Sequence, residues 1–129
     1  MDKPRKIVIV DDNKDYLFAT KTLLTRNGYE VMTAEDGKIG IELIRKEKPA
    51  LILLDVMMET LFSGFEVCRQ LKQDPDLKSI PVISISGMGD EINVQFNKDS
   101  DNEYFSPDEF LEKPVDRDLL LRKIIGLLP

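Results

Sequence analysis

The sequence lacks histidine entirely and contains one cysteine among its 129 residues. Without histidine, the chain cannot carry a Ser-His catalytic pair, a histidine metal ligand or a phosphohistidine. The single Cys68 has no partner for a disulfide within the chain, which is typical of proteins kept in a reducing cytoplasm. We therefore interpret Cys68 as a small core residue.

Long apolar stretches and an excess of basic charge are also missing. No apolar run approaches the roughly 20 residues of a membrane-spanning helix, and the N-terminus has no apolar export signal. With 18 basic and 24 acidic side chains, the net charge is −6, which argues against nucleic-acid binding because phosphate backbones attract basic surfaces. We expect a cytoplasmic protein with neither membrane nor nucleic acid as a partner.

The chain does contain a regular alternation of short apolar runs and amphipathic helical patterns. Its length suits one domain, residues 1–129, with a real core. Alternation of this kind predicts an α/β fold, a five-stranded parallel sheet with helices on both faces. The predicted strands are 7–10, 29–33, 51–55, 80–85 and 110–112.

The helical patterns predict which side chains face the sheet. In the first helix, Tyr16 is one of the residues that recur at helical spacing. The helix is expected to stop at Asn27-Gly28. In the second helix, Ile39, Leu43 and Ile44 form the expected inner stripe. Between the fourth and fifth strands the pattern is weak, and we interpret it as a short irregular helix.

Acidic residues stand at the ends of two predicted strands. The first strand ends in Asp11-Asp12 and the third ends in Asp55. Because the carboxyl ends of parallel strands share one edge, these acids should meet there, near Ser86 and Lys113 from the last two strands. Two like charges ~4 Å apart repel by about 4 kcal/mol at an effective dielectric of ~20. A raised pKa or a bound cation would relieve this repulsion.

The residue types at this edge suggest phosphoryl chemistry. An acidic cluster with oxygen ligands alone favours a hard ion, and Mg²⁺ is the ion that we expect. The Lys113 ammonium and the Ser86 hydroxyl suit phosphate oxygens. We interpret Asp55 as a carboxylate nucleophile that accepts a phosphoryl group, while the cation and Lys113 neutralise the arriving charge.

Each of these residues also has a simpler interpretation. Asp11 and Asp12 could cap the first helix, Asp55 could cap a loop and Ser86 could belong to a turn. Lys113 could be an exposed charge at a strand end. Their occurrence together at the ends of four predicted strands favours a shared site.

The set Asp11-Asp12, Asp55, Ser86-Gly87 and Lys113-Pro114 resembles the receiver (CheY-like) domain of bacterial two-component response regulators. The resemblance covers essentially the whole chain. It implies a flavodoxin-like, doubly wound sheet with strand order 2-1-3-4-5. It also implies that Asp55 is the phosphoacceptor, which takes its phosphoryl group from a histidine kinase or phosphotransfer protein.

The resemblance further implies the metal ligands. Asp12, Asp55 and the backbone carbonyl of Met57 would hold Mg²⁺, and Asp11 would assist. An aspartyl-phosphate phosphohydrolase is an alternative function, but such enzymes usually carry a second Asp two residues beyond the nucleophile, where this chain has Met57. We therefore predict no enzymatic action on outside substrates.

The remaining implied roles concern switching. Lys113 would bind a phosphoryl oxygen, the Ser86 hydroxyl would swing toward the phosphoryl group, and Phe110 stands at the switch aromatic. Because Phe110 lacks a phenol hydroxyl, a switch would work by ring burial alone.

A downstream protein would bind between the fourth strand and the last helix, a region that contains the long acidic segment 97–107. A stand-alone regulator is expected, either a monomer or a phosphorylation-linked dimer. A degenerate receiver that works without phosphate is a further alternative.

Met57 and Met88 lie two residues after Asp55 and Ser86, and the resemblance implies that both flank the path of attacking water. The double change Met57→Asn and Met88→Glu is expected to shorten the lifetime of phosphoryl-Asp55, because polar side chains can orient water there. Decay of the phosphorylated protein, followed by intact mass, measures this lifetime. A lifetime that shortened little would count against the prediction.

Overall fold

Five strands and four helices make up the part of the chain that the structure describes. This computed structural model describes residues 4–55, 63–86, 108–113 and 115–128, with the backbone alone for 63–65 and 86. The strands are β1 Lys6–Val10, β2 Glu30–Ala34, β3 Leu51–Asp55, β4 Val82–Ser86 and β5 Glu109–Glu112. The helices are α1 Lys14–Arg26, α2 Gly37–Glu47, α3 Ser63–Gln73 and α4 Arg117–Leu127. Within these ranges, no helix combines the length and apolar character needed to cross a bilayer.

All five strands pair in parallel, in the order β2-β1-β3-β4-β5. The predicted fold class and strand order are therefore confirmed. Val10 lies beside Leu54 in the register of β1 and β3. As a result, Asp11 and Asp55 follow at the same level on two neighbouring strands.

Alternating side chains of the strands form two apolar layers, one on each face of the sheet. The layer under α2 and α3 comprises Val8, Val10, Ala34, Ile41, Ile44, Ile52, Leu54, Val67, Cys68, Leu71, Leu77 and Val82. The layer under α1 and α4 comprises Ile7, Ile9, Leu17, Leu24, Val31, Leu51, Leu53, Ile83, Ile85, Leu111, Leu120 and Ile124. Strand β3 contributes to both layers and is buried along its whole length. Cys68 is a core residue, as predicted.

Strand β4 begins later than the sequence predicted. The N–H of Ile80 donates to the carbonyl of Leu77 and so belongs to a turn. Pro81 has no N–H to contribute to a sheet. The ladder therefore starts at Val82, whose N–H donates to the Asp108 carboxylate at 2.8 Å.

Helix α2 packs on the sheet through a stripe that differs from the predicted one. Ile39 is 52% exposed and Leu43 is partly buried, whereas Gly40 and Ile44 are buried. The prediction that Ile39 faces the core is therefore wrong. The reason is the close approach at Gly40, where an added Cβ would lie 2.8 Å from a methyl carbon of Val10. Apolar periodicity gives no weight to a glycine and so misplaces the stripe.

Helix α1 is fixed by a cap at each end. The Asn13 side chain accepts a hydrogen bond from the N–H of Tyr16 at 3.0 Å. At the other end Gly28 adopts φ 93°, and the N–H of Tyr29 donates to the carbonyl of Leu24, which is the Schellman arrangement. The helix therefore stops where the sequence predicted, and its first turn is held beside the end of β1.

Gly40→Ala is expected to lower the free energy of unfolding by about 1–3 kcal/mol, because the added methyl group overlaps the Val10 side chain. Gly126→Ala in α4 is the matched control, since a Cβ there meets no atom within 4 Å. The control should be neutral or should gain up to about 1 kcal/mol from helix propensity. Urea unfolding followed by circular dichroism measures both variants, and equal stabilities would contradict the close packing of α2 on β1.

Candidate functional site

Three carboxylates meet at the carboxyl edge of the sheet. Asp11 and Asp12 directly follow β1, and Asp55 is the last residue of β3. Oxygen atoms from the three side chains all lie within 4.8 Å of one another. Asp11 and Asp55 are 1% and 5% exposed, whereas Asp12 is exposed to solvent. The structure thus brings together the three acids that the sequence predicted at this edge.

Neither Asp11 nor Asp12 caps α1. Asn13 does so, and the simpler interpretation of the acids as caps is therefore wrong. The Oδ1 atom of Asp11 instead accepts a hydrogen bond from the N–H of Asn13 at 2.8 Å. This bond orients the Asp11 carboxylate so that Oδ2 is directed at Lys113.

Lys113, the residue directly after β5, links the two buried carboxylates. Its Nζ lies 2.9 Å from Oδ2 of Asp11 and 3.3 Å from Oδ2 of Asp55. Because the Lys113 side chain is 24% exposed, it is not a free surface charge. Hydrogen bonds between ionised partners are shorter and stronger than neutral ones. One ammonium nevertheless leaves an excess of negative charge among three ionised carboxylates.

Burial and neighbouring charges shift the pKa of Asp11 and of Lys113. Burial is the main cause that raises the Asp11 pKa above its ordinary value, and the charge of Asp55 adds to it, against opposing hydrogen bonds from Asn13 and Lys113. Burial alone would lower the Lys113 pKa, but the hydrogen bond and charge of Asp11, together with Asp55, outweigh it and raise the pKa. Lys113 is therefore held in its charged form. Ionised Asp11 is costly even beside this ammonium, and a second cation would reduce that cost.

The ammonium of Lys113 also lies over the aromatic ring of Tyr16. The distance from Nζ to the ring centroid is 4.6 Å, which is within the range of a cation–π contact. Burial raises the pKa of the Tyr16 phenol, so the ring stays uncharged. The sequence placed Tyr16 on the apolar side of the first helix and gave no signal for its contact with Lys113.

Phe110 lies on the opposite face of the sheet from the acids. It pairs with Ser84 of β4 in the register and packs, partly buried, against the α2–α3 layer. Ser86 is the last residue of β4 and is described by its backbone alone. The Met57 carbonyl, Gly87, Met88, Pro114 and the acidic segment 97–107 lie outside the described residues, so their predicted roles stay predictions.

The acidic cluster fits a small hard cation. Its donors are carboxylate oxygens, which are the ligands that Mg²⁺ prefers, and the chain has no histidine to favour a softer metal. Asp11, Asp12 and Asp55 would each offer an oxygen, and water would fill much of the remaining shell. The raised Asp11 pKa marks a carboxylate that gains from such an ion.

Comparison with known proteins shows similarity in sequence over most of the chain. The sequence profile of the response regulator receiver domain matches residues 7–125. The chain is 34% identical to protein PilH of Pseudomonas aeruginosa, over 95% of this chain and 97% of PilH. It is 38% identical to the response regulator PleD of Caulobacter vibrioides, over 95% of this chain but 26% of PleD.

Solved structures show the same fold. A CheY-like response regulator receiver domain protein of Methanospirillum hungatei superposes with a TM-score of 0.83 at 28% identity, over 97% of this chain and 94% of the other. The chemotaxis protein CheY4 of Vibrio cholerae superposes with a TM-score of 0.82, over 96% of this chain and 98% of the other. At 24% identity, the similarity to CheY4 supports the fold alone.

Mg²⁺ is expected to raise the midpoint of thermal unfolding, because an ion that binds the folded chain alone stabilises it. Asp12→Asn should remove most of this increase. Asp76→Asn changes an exposed acid in the turn between α3 and β4 and should preserve the increase. The same increase in both variants would contradict the assigned cluster.

The affinity for Mg²⁺ is expected to fall as the pH is lowered from neutral toward the titration range of the carboxylates, because protons compete with the ion for a ligand. The raised pKa of Asp11 places part of this competition above the ordinary titration range of an Asp. Titration calorimetry at a series of pH values measures the dependence. An affinity that does not change as the carboxylates are protonated would contradict the acidic cluster as the metal site.

Proposed function

The chain belongs to the response regulator receiver domain family, and on that basis we propose that it is the phosphoacceptor module of a two-component system. Asp55 accepts a phosphoryl group from a phosphohistidine on a kinase or phosphotransfer protein, in a Mg²⁺-dependent reaction. The observation that carries the proposal is the contact of Lys113 with Asp11 and Asp55, at 2.9 and 3.3 Å, beside a third acid. The proposed role is signalling in the cytoplasm and not the turnover of an outside substrate.

Asp55 is the proposed nucleophile. One of its carboxylate oxygens forms a bond to phosphorus while the phosphorus–nitrogen bond of phosphohistidine breaks and the imidazole leaves. The position of Asp55 at the end of a fully buried strand supports this role, because a rigid nucleophile lies in a defined direction toward its substrate.

Lys113 is the proposed electrostatic partner of the transferred group. Its Nζ already contacts Oδ2 of Asp55, so a short movement brings it to a phosphoryl oxygen on the same carboxylate. A charged donor that is in place before the reaction stabilises negative charge as it arrives. The raised pKa of Lys113 keeps that donor charged at neutral pH.

The acids are the proposed holders of the metal ion. Asp11, Asp12 and Asp55 supply carboxylate oxygens, and the backbone carbonyl of Met57 is the further proposed ligand. When bound, Mg²⁺ neutralises charge on the carboxylates and on the transferred group. Asp11 is oriented for its part by the N–H of Asn13.

The proposed output uses Ser86 and Phe110. The Ser86 hydroxyl turns toward the phosphoryl group, and the Phe110 ring becomes more deeply buried in response. The partial burial of Phe110 against the α2–α3 layer supports this role, because the ring has room to change its exposure. A downstream protein then binds the surface between β4 and α4.

Incubation with acetyl phosphate and Mg²⁺ is expected to add one phosphoryl group to the chain, detected by intact mass. Asp55→Asn should lose the modification, because the amide is not a nucleophile of comparable strength. Asp76→Asn, which changes an exposed acid far from the cluster, should keep it. Removal of Mg²⁺ by a chelator should also prevent it.

The other outcomes of this incubation separate the alternatives. Turnover of acetyl phosphate without accumulation of modified protein would favour a phosphohydrolase. No Mg²⁺-dependent modification at all would exclude both functions and favour a receiver that works without phosphate.

A further inference from the structure

The Tyr16 ring is a contact of Lys113 that the proposed reaction does not use. The ammonium has three partners in the described part of the chain, namely the carboxylates of Asp11 and Asp55 and the face of the Tyr16 ring. The two carboxylates are proposed to bind Mg²⁺ and to accept the phosphoryl group. Both therefore change their charge and their partners during the reaction, whereas the ring does not.

We propose that Tyr16 is a positioning residue whose ring face keeps the Lys113 ammonium at the sheet edge while the carboxylates change partners. This inference rests on the proposed function of Asp55. It adds a residue from the first turn of α1 to the machinery of phosphoryl transfer.

The ring is itself held firmly in place. The N–H of Tyr16 donates to the capping side chain of Asn13 at 3.0 Å, which fixes its backbone in the first turn. The ring packs against the α1–α4 layer. Asp11 and Asp12 directly precede Asn13. The backbone N–H of Asn13 binds the Asp11 carboxylate and its side chain binds the N–H of Tyr16, so both groups are positioned by one short segment.

The ring face, and not the hydroxyl, makes the contact. The Tyr16 hydroxyl is buried, and no described residue meets hydrogen-bond geometry with it, although the Thr20 hydroxyl is a polar neighbour one turn along. A buried hydroxyl without a good partner lowers the stability of the fold. We therefore expect Tyr16→Phe to preserve both the stability of the fold and the contact with Lys113.

The space around the ring explains why its size matters. A cavity of about 450 Å³ lies between α1 and α4, and both Tyr16 and Lys113 line it, together with Arg117. A smaller side chain at position 16 would enlarge this cavity and let the flexible Lys113 side chain turn away from the acids.

The first test compares rates of Asp55 phosphorylation by acetyl phosphate with Mg²⁺. Tyr16→Leu is expected to lower the rate about fivefold, which corresponds to about 1 kcal/mol at 1.36 kcal/mol per tenfold and lies within the range of cation–π contacts. Tyr16→Phe should stay within about twofold of the wild type on the same scale. Tyr29→Leu is the matched control, because Tyr29 packs against the same apolar layer but lies before β2, at the other end of the sheet.

A second variant preserves the shape of the ring and changes its electrostatics. Pentafluorophenylalanine at position 16 has nearly the size of phenylalanine, but its ring face no longer attracts a cation. We expect its rate to fall as in Tyr16→Leu while its thermal stability follows that of Tyr16→Phe. A role in packing alone predicts equal rates for the two aromatic variants.

A spectroscopic signal reports the contact without any reaction. Protons of the Lys113 side chain next to Nζ should be shifted upfield by the ring current of Tyr16, and the shift should persist in Tyr16→Phe and vanish in Tyr16→Leu.

If the wild type is not phosphorylated, the proposed function fails and the inference fails with it. If the wild type is phosphorylated and Tyr16→Leu or the fluorinated variant keeps the full rate, the inference alone is overturned. A loss of rate in Tyr16→Phe equal to that in Tyr16→Leu would overturn it as well, because it would assign the effect to the hydroxyl.

Discussion

The contact between one ammonium and two buried carboxylates is the constraint on which the rest of the site depends. Lys113 is 102 residues from Asp11 and 58 residues from Asp55 along the chain, yet it contacts both. In the sheet, β4 lies between the strands that carry Lys113 and Asp55. The long, flexible stem of a lysine is suited to cross that gap and still present a compact charge. The contact therefore requires the strand order β1-β3-β4-β5 and the matched ends of these strands.

The two buried acids make this edge a costly part of the fold. Removing a carboxylate from water costs several kcal/mol even after the protein relaxes, and a partner of opposite charge offsets a part of it. The apolar layers on the two faces supply the stability that this arrangement needs, and β3 takes part in both. The raised pKa of Asp11 shows that compensation by Lys113 is incomplete. A buried carboxylate whose charge is only partly compensated gains more from a bound cation than one that is fully neutralised.

Much of the sheet and of the acidic cluster could be predicted, because both follow from local rules. Buried parallel strands are continuous apolar runs, and the residues after them must share an edge, which placed Asp11, Asp12, Asp55 and Lys113 together. The sequence could not show which of three consecutive cap-forming side chains caps α1, because propensity ranks Asn and Asp alike and backbone geometry decides. Ile39 was misplaced because the close approach of Gly40 to Val10 is a property of two packed elements. The contact between Tyr16 and Lys113 is likewise tertiary, with no periodic signal on either side.

The segment of β5 and the residue after it places side chains on both faces of the sheet. Lys113 reaches the acids on the α1–α4 side, whereas Phe110 packs on the α2–α3 side. The strand has four residues and lies at the edge of the described sheet, so it is paired along one side only.

Its two ends are held differently. Before β5, the Asp108 carboxylate accepts from the N–H of Val82 at 2.8 Å and contacts Nζ of Lys72 at 3.4 Å. After β5, the chain is held at Lys113 by carboxylates whose charge the proposed reaction changes. Under the proposed function, a shift of Lys113 toward a phosphoryl oxygen would thus move the carboxyl end of β5, while Asp108 holds the start of the strand. Phe110 lies between those ends, beside the buried Ser84 hydroxyl, which has no hydrogen-bond partner among the described residues. Since Phe110 and Lys113 are three residues apart, the proposed movement of Lys113 would act on a chain segment that contacts both faces of the sheet.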